Sequence, residues 1–200
     1  MKTIDSVPAQ ELKGKRVLVR SDFNVPLDAS GEVANIFRLK KGWNTIDFLA
    51  KNGAKVIVLS HIGQYPEKTL EPVGRALKHF APVVYVPDLL GPAAKSAVSA
   101  MHDGEILLLE NVRSDPRETE NDESLAKELA AYGEIFVNDA FAAARRAHAS
   151  TVGISKFLPS YAGLLVRDEV EQLKAALTPK HPSFAILGGA KFETKAPLIK

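Results

Sequence analysis

Five short apolar runs recur along this chain, and each run ends in polar or charged residues. The runs are RVLVR at 16–20, KVIVL at 55–59, EILLL at 105–109, EIFV at 134–137 and FAIL at 184–187. Strands of a parallel sheet that is buried on both faces have this near-continuous apolar character. Because such sheets bind ligands outside the carboxyl ends of their strands, the polar residues that follow the runs predict a functional site at one edge of a sheet.

Stretches with helical periodicity separate these runs. Apolar residues recur at three- and four-residue spacing within 39–50, 69–80, 92–101, 121–130 and 161–177. The segment VVYV at 83–86 predicts a further strand, which brings the expected total to about six. The alternation of strand and helix predicts an α/β fold: a doubly wound, mostly parallel sheet with helices on both faces in a Rossmann-like three-layer arrangement.

The composition restricts the classes of function. A hydrophobic fraction of 46% and a charged fraction of 25% are ordinary for a globular protein, and a net charge of +2 favours neither nucleic acid nor an acidic membrane as partner. The chain has no cysteine, which excludes disulfides and thiolate metal ligands. No apolar stretch has the length of a signal peptide core or a membrane span, so we expect a cytoplasmic protein.

Cationic side chains gather at the predicted strand ends. The predicted fold would place these side chains together on one face, at the strand ends: Arg20, Arg38, His61, Arg113, Arg145, Arg146 and His148. Cations this close repel one another unless carboxylates or a bound anion offset them, and arginine binds phosphate and carboxylate through two parallel N–H donors. We therefore predict a pocket for a small ligand with several negative charges, although each residue taken singly also fits a surface or hydrogen-bonded loop role.

Three acidic or amide positions after strands have alternative interpretations. Asp22 and Asn24 can form a turn before Pro26, or they can accept hydrogen bonds from ligand hydroxyls and orient the arginines. Asp139, which follows the fourth run, has the same alternatives. The charged stretch 115–129 and the pairing of His148 with Ser150 indicate no chemistry by themselves.

The fifth run leads into a weak phosphate-binding signal. Gly188, Gly189 and Lys191 resemble a turn that lets backbone N–H groups approach a phosphate, although the segment is not a GxxxxGK[ST] loop. On a helix, Lys191 and Lys195 would share one face, which fits either an anion contact or a solvated surface. No HExxH motif or Asp-rich cluster predicts a metal site.

Several segments together resemble phosphoglycerate kinase, in family order and at family spacing. They are VRSDFNVPLD (19–28), Arg38, LSHIG (59–63), LLLENVR (107–113), VNDAF (137–141), RAHASTVG (146–153), KFLPS and AG around Tyr161 (156–163), and ILGGAK (186–191). The resemblance covers nearly the whole chain but only the N-terminal half of that two-domain enzyme. It implies an N-terminal domain over 1–187 and the start of the interdomain region over 188–200, without the C-terminal nucleotide-binding domain.

This resemblance implies the glycolytic phosphoryl transfer between 1,3-bisphosphoglycerate and ADP, which gives 3-phosphoglycerate and ATP with magnesium. It implies substrate contacts from Asp22, Asn24, Arg38, His61, Gly63, Gln64, Arg113, Arg146 and His148. It implies catalytic roles for Arg38 and Lys191, and nucleotide contacts from Gly188, Gly189 and Lys195. Mg-ATP or Mg-ADP would then be the cofactor of the intact enzyme, with none expected to bind tightly to this chain.

Two positions in the expected pocket depart from the family pattern. Gln64 stands where an arginine usually follows His-x-Gly, and Arg145 replaces the first histidine of a His-Arg-x-His run. A second interpretation therefore stays open, in which the chain is a non-catalytic anion-binding or scaffold module derived from this domain. Without the nucleotide domain we expect no useful turnover. We also expect the chain to self-associate through newly exposed apolar surface, although the intact family enzyme is usually monomeric.

Overall fold

The computed structural model describes residues 1–63, 68–184 and 186. The chain divides into two compact units, Met1–Glu169 and Val170–Lys200. The first unit contains every strand that the described residues form. The expected domain boundary at 187/188 lies outside the described residues.

One parallel sheet of six strands organises the first unit. The strands are β1 Arg16–Ser21, β2 Lys55–Leu59, β3 Val84–Tyr85, β4 Ile106–Leu108, β5 Ile135–Asp139 and β6 Ser160–Ala162. Their order across the sheet is β3-β4-β2-β1-β5-β6, and every pairing is parallel. Since β1 pairs with β2 on one side and with β5 on the other, the strand order reverses at β1. The carboxyl ends of these strands face the crevice in which such sheets bind ligands.

Helices cover the sheet on both faces. The α-helices of the described residues are α1 Ala9–Leu12, α2 Phe37–Lys51, α3 Glu71–Leu77, α4 Pro92–Ala100, α5 Glu123–Ala130 and α6 Leu164–Leu177. Successive side chains of a strand point to opposite faces, so β1 contributes Val17 and Val19 to one apolar cluster and Leu18 to another. Two separate apolar layers confirm the predicted doubly wound, three-layer α/β fold.

Local signals in the sequence determine several helix ends. The Asp122 carboxylate accepts the N–H of Leu125 at 3.0 Å and so caps α5. Pro92 begins α4, where its fixed φ and missing N–H are tolerated. Asn52 follows the last residue of α2. Among the described residues, no helix combines the length and the apolar character that crossing a membrane requires.

One predicted strand is wrong, and one observed strand was not predicted. In the run 184–187, Phe184 and Ile186 belong to no helix or strand and are 90% and 85% exposed, while the other two residues lie outside the described part. The sixth strand is β6 instead, which pairs with β5. An apolar run becomes a strand only where a neighbour completes its hydrogen bonds, and β6 occupies the place beside β5. The predicted strand at 83–86 is also shorter, since only Val84–Tyr85 pair.

Candidate anion-binding site

Loops that follow β1, β2 and β4 converge on one glycine. Asn24 follows β1, and its Oδ1 accepts the N–H of Gly63, in the loop after β2, at 2.9 Å. Arg113 follows β4 and donates from Nη1 to the Gly63 carbonyl at 2.6 Å. Gly63 has a φ of +71°, in the left-handed region that favours glycine. The structure therefore places three of the predicted site residues in direct contact.

Asp22 both forms a turn and holds an arginine. Its Oδ1 accepts the N–H of Asn24 at 3.3 Å, and its Oδ2 lies 3.2 Å from Nη1 of Arg38, in the first turn of α2. The same Nη1 donates to the Asn24 carbonyl at 3.0 Å. With 47% of its side chain exposed, Arg38 remains open to a ligand. Asp22 and Arg38 line a cleft of about 440 Å³ together with Phe37 and Lys41.

Arg20 lies inside the molecule, with only 1% of its surface exposed. Its Nε donates to Oγ of Ser150 at 2.8 Å, its Nη2 contacts Nδ1 of His61 at 2.9 Å, and its Nη1 donates to the Ser21 carbonyl. The surface interpretation is thus wrong for Arg20, because a central strand of this sheet is covered on both faces. Arg20 supports the pocket from within and leaves ligand contact to the more exposed cations.

A buried carboxylate compensates this buried arginine. Glu118 is fully buried and accepts the N–H and the hydroxyl of Ser150 at 2.8 and 2.6 Å. Its Oε1 also lies 3.7 Å from Nδ1 of His148. A charge as buried as that of Arg20 requires a nearby opposite charge, which Glu118 supplies through Ser150.

Sequence reasoning missed both Glu118 and Ser150. The interpretation of 115–129 as chemically silent is wrong for Glu118, since this side chain belongs to the buried network. The one available signal was that clustered cations need a carboxylate among them. Nothing in the stretch distinguishes Glu118 from its exposed acidic neighbours, so the sequence could predict the need but not the residue.

The two histidines of the site carry little positive charge. The pKa of His61 is lowered to about 3, mainly by burial, and the neighbouring groups Arg20, Arg113, Arg146 and His148 act in the same direction. Burial is also the main cause that lowers the pKa of His148. Because both imidazoles are neutral near pH 7, they offer hydrogen bonds to a ligand, while the arginines provide the charge.

Arg113 has an unused donor next to a second cation. Its Nε is buried and bonds to no atom of the described residues. Burial lowers the pKa of Arg113, and Arg146 lowers it further. A buried N–H without a partner costs about 1–3 kcal/mol, and the adjacent positive charge adds repulsion. A bound anion would remove both costs.

Asp139 does not belong to this cluster. Its Oδ1 accepts the N–H groups of Leu165 and Val166 at 3.0 and 3.3 Å, and so it stabilises the first turn of α6. Burial raises the pKa of Asp139 to about 7, against the opposing effects of the Thr45 hydroxyl and of the same two N–H groups. Asp139 thus does not form the local turn that was one of its two predicted roles, because these N–H groups lie 26 and 27 residues further along the chain.

The remaining predicted residues divide into two groups. Arg145 and Arg146 are described and exposed. Outside the described residues lie Gln64, Gly188, Gly189, Lys191 and Lys195. Over the ranges 1–63, 68–184 and 186, no group of three or more His, Asp or Glu side chains is arranged to hold a metal ion.

A doubly wound parallel sheet, with a cluster of arginines and neutral histidines beyond the carboxyl ends of its strands, defines an α/β protein with a candidate anion-binding site. Comparison with known families identifies it further. The family model for phosphoglycerate kinase matches residues 7–200. The chain therefore belongs to the phosphoglycerate kinase family, which confirms the resemblance seen in the sequence.

Individual relatives support this assignment. The phosphoglycerate kinases of Coprothermobacter proteolyticus and Caulobacter vibrioides are 45% and 48% identical, and each alignment covers 98% of this chain and 52% of the relative. The solved phosphoglycerate kinase of Coxiella burnetii has a TM-score of 0.84 at 35% identity, with 98% of this chain and 50% of that chain covered. That of Pyrococcus horikoshii has a TM-score of 0.89 at 31% identity, with 100% and 51% covered. The chain thus spans about half the length of the relatives that it matches.

Proposed function

We propose that this chain binds 3-phosphoglycerate or 1,3-bisphosphoglycerate as the substrate-binding half of a phosphoglycerate kinase. The intact enzyme would transfer a phosphoryl group between 1,3-bisphosphoglycerate and ADP to give 3-phosphoglycerate and ATP. The observation that carries this proposal is the buried Nε of Arg113, which has no partner among the described residues and lies beside the charge of Arg146. Such a group favours a multiply charged ligand, and the family membership indicates which one.

The pocket residues divide the recognition of this ligand among them. Arg113 and Arg146 would bind its anionic groups, and His61 and His148 would donate neutral hydrogen bonds. Arg38, which Asp22 holds at 3.2 Å, would stabilise charge on the transferring phosphoryl group. Phosphoryl transfer depends mainly on positioning and electrostatic stabilisation, which is what an ordered set of cations supplies.

The nucleotide half of the reaction depends on residues beyond this pocket. We propose Lys191 as a catalytic residue, and Gly188, Gly189 and Lys195 as contacts to the phosphates of Mg-ATP or Mg-ADP. These roles follow from the family motif alone, because the residues lie outside the described part of the chain. We expect the chain alone to bind phosphoglycerate without turning it over, since transfer requires both substrates to be held in line.

Titration with 3-phosphoglycerate, followed by NMR, tests the binding proposal. Saturable shifts are expected at Asn24, Arg38, His61 and Arg113. Inorganic phosphate at the same concentration serves as the control for unspecific anion binding. Absence of saturable shifts would refute the proposal and favour a scaffold module that has lost its ligand, for which the glutamine at position 64 is the specific observation.

Substitutions of two arginines distinguish ligand binding in the pocket from attraction of the ligand by net charge. Arg113→Met is expected to weaken 3-phosphoglycerate binding at least about tenfold, the factor that corresponds to loss of one charged hydrogen bond. Arg75→Met is the matched control, because Arg75 is exposed on α3 and paired with Glu32 and Glu71. Equal effects of the two substitutions would show that net charge, and not the pocket, attracts the ligand.

A further inference from the structure

The contact between Arg20 and His61 determines which ring nitrogen of the histidine carries its proton. A guanidinium has only N–H donors and no acceptor. Nη2 of Arg20 lies 2.9 Å from Nδ1 of His61, so Nδ1 must accept this hydrogen bond. In the neutral ring the proton is then on Nε2. This conclusion needs no information beyond the geometry of the two side chains.

The second ring nitrogen of His61, Nε2, is not held by Arg20. Nε2 of His61 makes no hydrogen bond to any residue in the described part of the chain, and it is not among the polar atoms that are enclosed without a partner. His61 as a whole residue is 4% exposed. One edge of the imidazole is therefore held by Arg20, while the opposite edge has no partner in the described part of the chain.

We infer that Arg20 is a positioning residue, which fixes His61 as the Nε2–H tautomer and presents this N–H as a neutral donor in the anion pocket. That the recipient is a phosphoglycerate rests on the proposed function above. The tautomer itself does not depend on it.

Ser150 and Glu118 determine the orientation of Arg20 in turn. Since Nε of Arg20 donates to Oγ of Ser150 at 2.8 Å, the serine hydroxyl must direct its own hydrogen elsewhere, and it lies 2.6 Å from Oε1 of Glu118. The donors therefore form an ordered series, in which the guanidinium donates to the serine on one side and to the histidine on the other. The buried carboxylate balances the charge at the far end of the series.

The surroundings oppose a charged form of this histidine. A second proton would have to occupy Nδ1, where it would face the N–H of Arg20. The other groups that act on the ring are also cationic or become so on protonation, namely Arg113, Arg146 and His148. Glu118 reaches Arg20 only through Ser150. The donor on Nε2 is therefore expected to persist over the whole range in which an ordinary histidine titrates.

Nitrogen-15 NMR of the full chain tests the tautomer without any ligand. With labelled histidine, and with His61→Gln to assign the signal, Nε2 is expected to show the shift of a protonated ring nitrogen and Nδ1 that of an unprotonated one. The pattern should stay unchanged down to about pH 5, more than one pH unit below the ordinary pKa of histidine. A proton on Nδ1, or titration above that pH, would overturn the inference.

Variants of the two strand arginines test the role of Arg20 itself. In Arg20→Lys a single ammonium group replaces the planar guanidinium. We expect this ammonium not to contact Ser150 and His61 at the same time, so His61 should populate both tautomers. Arg16→Lys, at the half-buried start of β1, is the control and should leave the signal unchanged. If Arg20→Lys retains the single tautomer, Arg20 does not position the ring. Should Arg20→Lys fail to fold, Ser150→Ala serves as the second variant, because it removes the hydroxyl that accepts from Arg20. It is expected to give the same mixture of the two His61 tautomers. Retention of the single tautomer in Ser150→Ala would refute the ordered series.

Addition of 3-phosphoglycerate separates this inference from the proposed function. If the ligand binds as proposed, the Nε2–H signal of His61 is expected to shift on saturation. If the free chain shows the Nε2–H tautomer and no shift follows, the proposed function fails while the positioning by Arg20 stands. The opposite tautomer together with normal binding would overturn the inference and leave the proposed function intact.

Discussion

The substitution Asp139→Asn tests whether the buried carboxyl group at the start of α6 makes stability depend on pH. Oδ1 of Asp139 accepts two backbone N–H groups of this helix, while Oδ2 is buried and has no partner among the described residues. Asparagine has nearly the same shape and keeps an acceptor for the helix, but it does not titrate. The two chains therefore differ mainly in whether this site takes up a proton.

The expected magnitude follows from the pKa of this group. Burial raises the pKa of Asp139 from 3.8 to about 7, so the folded chain retains a proton that the unfolded chain releases in this interval. The contribution of the group to stability is then complete below the unfolded pKa and decreases as pH rises toward 7. Each pH unit corresponds to about 1.4 kcal/mol, so the loss between pH 5 and pH 8 is about 3 kcal/mol.

Urea unfolding at pH 5, 6, 7 and 8 measures this difference. The fluorescence of Trp43 is a suitable probe, because Trp43 packs on Phe80 with ring centroids 5.3 Å apart. The stability of Asp139→Asn relative to the native chain is expected to rise by about 3 kcal/mol from pH 5 to pH 8. Asp103→Asn, at an exposed aspartate that is not among the groups acting on Asp139, should give a curve parallel to the native one. If the Asp139→Asn curve is also parallel to the native curve, the reasoning is refuted.

Three further substitutions test local features by thermal or urea unfolding. Asp122→Ala removes the cap of α5 and should cost about 1 kcal/mol, and an unchanged midpoint would contradict a capping role. Gly153→Ala would place a Cβ 2.6 Å from that of Ala126, so a loss of about 1–3 kcal/mol is expected, whereas a stabilised variant would mean that the helix can move away. Glu118→Gln leaves the buried charge of Arg20 without its counter-charge and should lower the free energy of unfolding by about 3–5 kcal/mol. A loss below about 1 kcal/mol would show that Glu118 does not balance the charge of Arg20.

Features that depend on neighbouring residues in the chain could be predicted from the sequence. The apolar run 16–20 forms β1 because its side chains are apolar on both faces, and Asp122 caps α5 because its carboxylate reaches an N–H three residues ahead. The gathering of Arg38, His61 and Arg113 followed from one further rule, that parallel strands present their carboxyl ends at the same edge. These inferences require only spacing and a common strand direction.

Features that depend on distant partners could not be predicted in the same way. The run 184–187 has strand-like composition, but composition does not provide a neighbouring strand, whereas the less apolar Ser160–Ala162 lies beside β5 and becomes β6. Glu118 and Ser150 are 32 residues apart, and their bond arises from how separate loops pack. The buried position of Arg20 likewise depends on groups that no local pattern relates to it.

The pairing of β1 with β5 has a consequence for the order in which the protein is made. Arg16, at the start of β1, and Glu134, which precedes β5, are 118 residues apart. Arg20 of β1 and its partner Ser150 are 130 residues apart. A ribosome must therefore release most of the sheet domain before the central strand gains its second neighbour. Closing so long a loop is slow, because its entropy cost must be met before the distant contacts form. Nascent chains that end before Ile135 keep one side of β1 open, and the contact of Arg20 with Ser150 forms later still.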